Sequence, residues 1–222
     1  MTVKAIMFGS IGTLVETSNL QRRAFNRAFK DAGLDWNWTI DTYKRLLTTS
    51  GGRDRIQNYA SRRGIDVDAD HLHQCKTEIF DSMMANGDIS LRAGVKDVIS
   101  FAAQNDIQLA FVTSTSKANV DAVFSALGDQ LKRSDFAFVG DNTMVSKSKP
   151  SPDIYAKALS ELGVQAQNCV AVEDTETSMQ AALAAGVRCI AFPGEYAIAQ
   201  DFTDAALVTN NISPEHFRKQ ES

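Results

Sequence analysis

The chain has little that would cross-link it, anchor it or charge it strongly. Only three of its 222 residues are cysteine. Cys75, Cys169 and Cys189 are far apart and odd in number. That pattern argues against a disulfide framework and leads us to expect reduced, mostly buried thiols in a cytoplasmic protein. No run of about 18 apolar residues occurs, so no transmembrane helix is expected. No charged head, apolar stretch and cleavage site precede the first strand-like run, so no signal peptide is expected. The formal net charge is −4, and no basic surplus marks a nucleic-acid binder. Internal repeats and low-complexity tracts are missing too.

What remains is ordinary globular material, 44% hydrophobic and 23% charged. A chain of this length buries roughly 70% of its unfolded surface, so it needs neither disulfide nor metal to fold. Short apolar runs rich in Val, Ile and Phe recur at Ala5–Phe8, Leu109–Val112, Phe136–Val139, Val170–Val172, Cys189–Phe192 and Ala206–Val208. Continuous runs of this kind suit strands buried on both faces. Helical stretches alternate with them. Val95, Val98, Ile99 and Ala102 make one apolar face over about Val95–Asn105, and Thr177–Ala185 ends at Gly186. Pro150 and Pro152 mark a loop before a helix starting near Asp153. The fold class is α/β, a doubly wound, mostly parallel sheet.

The stretch from Thr17 to Gly87 contains no convincing strand. Ala24, Phe25, Ala28 and Phe29 follow a helical period. Tyr43, Leu46 and Leu47 begin another, Ile56, Tyr59 and Ala60 a third, and Phe80, Met83 and Met84 a fourth. We therefore expect a discontinuous core domain, 1–16 and 88–222, with an all-helical cap domain, 17–87, inserted after the first strand.

Candidate chemistry lines up at the strand ends. Gly9-Ser10-Ile11-Gly12-Thr13 follows the first strand-like run, and Thr113-Ser114-Thr115-Ser116 the second. Lys149 stands in Ser-Lys-Ser-Lys-Pro, and Glu173-Asp174 follows Val170–Val172. In an open α/β sheet such ends converge on one crevice. Hydroxyl, lysine and acidic pair together suit a phosphate and a divalent cation. Taken alone, Glu173-Asp174 reads as an ordinary acidic pair at a helix N-terminus, and Thr113 and Ser114 read as turn formers.

This order resembles the haloacid dehalogenase (HAD) superfamily over nearly the whole chain. Arg22-Arg23-Ala24-Phe25-Asn26, Ala32-Gly33-Leu34-Asp35-Trp36 and Gly51-Gly52-Arg53-Asp54-Arg55 resemble its CbbY branch, which is similar to beta-phosphoglucomutase. The resemblance implies a Mg²⁺-dependent hydrolase of sugar phosphates with a Rossmann-like core. It implies Thr113, Ser114 and Lys149 as phosphate ligands and Glu173 and Asp174 as Mg²⁺ ligands; with only two carboxylates left, the metal is expected to be weakly held or missing. It also implies that Gln21, Gly51, Gly52, Arg53 and Arg55 are cap residues facing substrate, with Arg53 and Arg55 candidates for a second phosphate.

The departures are equally specific. Gly9 stands where the family has its nucleophilic Asp, and Ile11 where it has the acid/base Asp. Gln21 takes the place of a frequent histidine, and Ser178 that of a glycine. A glycine can form no aspartyl-phosphate, and an isoleucine has no proton to move. Ser10 holds the middle position of the motif, where the backbone amide matters more than the side chain, and is not a convincing replacement. The expectation is an inactive or severely impaired HAD-like protein, a pseudoenzyme in which Lys149 pairs with Glu173 or Asp174. A small phosphorylated metabolite remains its expected partner. Two alternatives stay open: an active phosphatase or phosphomutase using a substitute group, and a non-catalytic interaction protein. No nucleic acid or membrane is expected as a partner. A monomer is the favoured state.

Overall fold

The structure, a computed structural model, describes residues 2–9, 11–47, 51–87 and 89–218. Two compact units emerge: Met1–Glu16 with Ile89–Ser222, and Thr17–Asp88.

The first unit is built on six parallel strands in the order β3-β2-β1-β4-β5-β6. They are β1 Ala5–Phe8, β2 Gln108–Phe111, β3 Phe138–Val139, β4 Cys169–Glu173, β5 Arg188–Ala191 and β6 Leu207–Val208. The expected runs and the observed strands overlap throughout. Phe136 and Ala137 lead into β3 without joining it, although the Ala137 amide already donates to the Leu109 carbonyl. Central strands β1 and β4 are buried along their whole length, whereas the edge strand β6 is exposed. Gly12 and Thr13 lie in a single helical turn, α1 Ile11–Leu14.

Register decides what faces what. Ala5 lies beside Cys169 and Phe8 beside Val172, so Gly9 follows on opposite Glu173. Side chains alternate across a strand, which puts positions 5, 7 and 9 of one chain segment on the face of 169, 171 and 173 of the other. Ala5, Met7, Cys169, Ala171, Cys189 and Ala191 form one packed layer with Tyr155, Ala158, Met179 and Ala182. Those last four come from two helices, α8 Asp153–Leu162 and α9 Glu176–Ala184. Small residues on the sheet let these helices approach closely. Two other helices of this unit are α6 Val95–Gln104 and α7 Lys117–Leu127, the latter capped by the Ser116 side chain.

The second unit is helical: α2 Ser18–Asp31, α3 Ile40–Leu46, α4 Gly52–Ser61 and α5 Ala69–Ala85. Gly51 starts α4 at φ 82°, a left-handed value that favours glycine. Thr39 and Asp68 cap α3 and α5 by accepting the Thr42 and His71 amides. The core is aromatic. Trp38 lies between Phe25 and Phe29, with ring centroids 4.7 and 4.8 Å away, and Tyr59 closes on Trp36 and Trp38 at 5.1 and 5.3 Å.

Candidate active site

The strand order reverses between β1 and β4, the place where open α/β sheets bind ligands. Gly9 and Glu173 leave the sheet side by side at that point. The Gly9 amide donates to the Val172 carbonyl at 3.0 Å, extending the ladder by one bond beyond β1. With no side chain on Gly9, the Glu173 side chain leans across. A Cβ added at position 9 would overlap its carboxylate.

Glu173 is wholly buried. Its Oε1 accepts from Lys149 Nζ at 2.6 Å and from the Tyr155 hydroxyl at 2.5 Å. Lys149 also donates to the Gly9 carbonyl and lies 5.0 Å from the centroid of the Tyr155 ring. The other oxygen, Oε2, is buried and has no hydrogen-bond partner among the described residues. Burial raises the Glu173 carboxyl above its ordinary range, Lys149 opposes that shift, and neighbouring Asp174 adds to it. Burial also raises the Tyr155 phenol, again helped by Glu173, so Tyr155 stays a donor. The same carboxylate, after burial, raises the Cys189 thiol. Burial alone lifts Cys169 to about 11. All three cysteines are free, Cys169 and Cys189 buried and Cys75 half-buried.

Asp174 turns the other way, its Oδ2 lying where a Cβ at Gly12 would sit. The α1 turn is held from outside by Arg92. That guanidinium donates to the Gly12, Phe192 and Pro193 carbonyls at 2.7, 2.8 and 2.7 Å and stacks on Phe192. Ile11 is buried, an apolar plug in the same turn.

Thr113 lies past β2, on the strand beside β1, and is buried; its hydroxyl accepts the Thr115 amide at 3.2 Å. Ser114 is half-buried beside it. Ser10 lies outside the described residues.

The fit of a hexacoordinate Mg²⁺ to these donors is poor. A hard cation needs several open oxygens. Here Glu173 gives one oxygen to an ammonium and a phenol and encloses the other. Among the described residues no three His, Cys, Asp or Glu side chains cluster to hold a metal.

In the helical unit, the implied substrate residues are already engaged with protein groups. Arg53 pairs with Asp54 and Asp70 at 3.1 and 3.2 Å, and is half exposed. Arg55 is buried, donates to the Leu46 carbonyl at 3.0 Å, and lies over the Phe25 and Tyr43 rings. Gly52 sits under His73, where a Cβ would press on the imidazole. Gln21 accepts from Lys76 Nζ.

Three residues went unnoticed in the sequence. Tyr155 and Arg92 carry no motif. Lys76 did leave a readable sign: Leu72, Lys76, Phe80 and Met84 repeat every four residues on α5, and all are buried. A lysine inside an apolar stripe is a buried lysine. Desolvation first, and then nearby Arg55, bring Lys76 down to about 7. His73 is lowered by burial, then by Lys76 and Arg55.

A family model described as haloacid dehalogenase-like hydrolase matches residues 6–192. Protein CbbY of Cereibacter sphaeroides is 42% identical over 206 residues, covering 91% of this chain and 90% of its own. Protein CbbY of Rhodobacter capsulatus is 36% identical, covering 92% of each. The crystal structure of CbbY from Rhodobacter sphaeroides in complex with phosphate superposes with a TM-score of 0.87, at 40% identity and 95% coverage of both chains. A mutant of that protein in complex with xylulose-(1,5)bisphosphate superposes equally well, with a TM-score of 0.87 at 40% identity and 95% coverage of both chains.

Proposed function

The chain belongs to the haloacid dehalogenase-like hydrolase family, in its CbbY branch, and on that premise we propose that it binds a phosphorylated sugar without forming an aspartyl-phosphate. One observation carries this reading: the Glu173 carboxylate, tied to Lys149, fills the space above Gly9. A nucleophile on a side chain has no room there, and Gly9 supplies none. Ile11 adds no acid to protonate a leaving oxygen. The chain is thus a pseudoenzyme or a severely impaired hydrolase.

Anion donors nevertheless remain at the crevice. Lys149 supplies an ammonium, Thr113 and Ser114 supply hydroxyls, and the α1 turn supplies amides. The sugar-phosphate class rests on the CbbY relatives, one of which is seen with phosphate and with xylulose-(1,5)bisphosphate. Glu173 and Asp174 are the family's metal positions, and in this chain we assign Glu173 to the ion pair rather than to Mg²⁺. No described helix is long and apolar enough to cross a membrane. Three free thiols suit a reducing compartment such as the cytoplasm.

The test is turnover and binding measured side by side. Sugar phosphates and bisphosphates, xylulose-1,5-bisphosphate included, are assayed with Mg²⁺ and by thermal shift. We expect a raised melting temperature with at least one ligand and no release of phosphate. Steady turnover that disappears in Glu173→Ala would show a working enzyme with a substitute group and end this reading.

A further inference from the structure

Glu173 is more than a neighbour of the site: it occupies it. Position 9 is glycine, the parallel register sets Glu173 beside it, and both project to the face that carries Tyr155. The carboxylate therefore reaches the ammonium of Lys149 at 2.6 Å, within a pair that is 6% and 0% exposed. A carboxylate and a phosphoryl group offer the same thing to a lysine, namely anionic oxygens. Lys149 is spent on an anion that belongs to the chain.

We propose that Glu173 is an internal competitor for phosphate: a phosphate monoester or inorganic phosphate gains Lys149 only by displacing this carboxylate, and the bare Gly9 backbone is what lets the carboxylate lie there. This rests on the reading of Lys149 as the phosphate-binding cation. Two features support an autoinhibitory contact. First, an incoming dianion beside a buried carboxylate meets like charge in a poorly solvated place. Second, the contact is specified from three sides, by Lys149, by Tyr155 and by the space at Gly9. Asp174 differs, since its carboxylate lies against Gly12 instead.

The proposal predicts that loosening Glu173 creates a better phosphate site. Calorimetric titration of the full chain with inorganic phosphate, at fixed ionic strength, compares the parent with Glu173→Gln and Gly9→Ala. Gln keeps the shape and removes the charge. Ala leaves Glu173 in place but puts a Cβ where its carboxylate now lies, so the side chain must leave Lys149. Both variants should bind phosphate at least about tenfold tighter than the parent. Adding Lys149→Met to Glu173→Gln should remove that gain. Near-UV circular dichroism checks folding, and if one variant fails to fold the other decides.

Equal or weaker affinity in the folded variants, with measurable phosphate binding by the parent, would overturn the competition and leave the phosphate site standing. No phosphate binding by any of the chains would remove Lys149 as a phosphate ligand, and the functional reading would fall with the competition.

Discussion

Lys149 in the sheet unit is 6% exposed, and Lys76 in the helical unit is 4% exposed. Both are buried, yet their surroundings differ. Lys149 has a carboxylate at 2.6 Å and a backbone carbonyl. Lys76 has the amide oxygen of Gln21 and the faces of Phe25 and Phe80, 5.0 and 4.9 Å from their centroids. Asp81 raises it, but less than burial and Arg55 lower it. One buried lysine is charge-paired, and the other tends to give up its proton. Equal burial thus leaves two lysines with different partners, a carboxylate for Lys149 and an amide oxygen with aromatic faces for Lys76.

The largest effect that could break this contrast is loss of Lys149. Lys149→Met leaves Glu173 as an unpaired buried charge and should cost about 3–5 kcal/mol in urea unfolding. Glu173→Gln on top of it should recover much of that loss. A small effect of the single change would mean that Glu173 is not held as a carboxylate.

Lys76→Met should behave in the opposite way. The folded value of Lys76, about 7, lies below the ordinary 10.5. Between these two values the unfolded chain holds a proton that the folded one has lost, so stability should rise with pH over that window. The slope approaches about 1.4 kcal/mol per pH unit. The variant should lose this rise and be the more stable chain at pH 6. Trp36 and Trp38, the two tryptophans of the sequence, both lie in the helical unit, so their fluorescence follows it. A parallel pH profile in parent and variant would contradict a lowered Lys76.

A helix cap gives a reference of intermediate size. Asp68→Ala removes the acceptor for the His71 amide, at 2.9 Å, and should cost about 1 kcal/mol in the same unit.

The smallest effect sharpens the comparison most. Lys157 and Glu161 on α8 are also 2.6 Å apart, but their side chains are 44% and 51% exposed. Lys157→Ala should change stability by no more than about 0.5 kcal/mol. The two pairs share a distance and differ in solvent and in the further partners, Tyr155 and the Gly9 carbonyl, that the buried pair holds.

Much of the fold could be read directly. The apolar runs at Ala5–Phe8 and Cys169–Glu173 mark strands buried on both faces, because a parallel sheet covered by helices leaves no polar face. The aromatic and alanine repeats of α2 likewise announce a helix. Short segments were harder: β3 has two residues, and the Phe136 run around it depends on pairing with β2 rather than on propensity. At the site, the residue types and their order were visible, and so were Gly9 and Ile11 just past the first strand. Tyr155 was not, since nothing local to α8 says that its hydroxyl meets Glu173. Arg92 was not, because its three acceptors come from the α1 turn and from Phe192-Pro193 past β5, both far from it in the chain.

By itself, the amino-acid order determined a helical insertion in a parallel α/β frame, and a glycine at the end of the first strand. It also limited the Lys149 pairing to two carboxylates without choosing between them. The choice of Glu173 was made by β1 and β4 lying side by side in one register, with α8 packed on the same face. Sequence records which groups exist and their local period, whereas the distance between two side chains far apart in the chain is set only when the sheet closes. Electrostatics depends on that distance and on the solvent excluded around it.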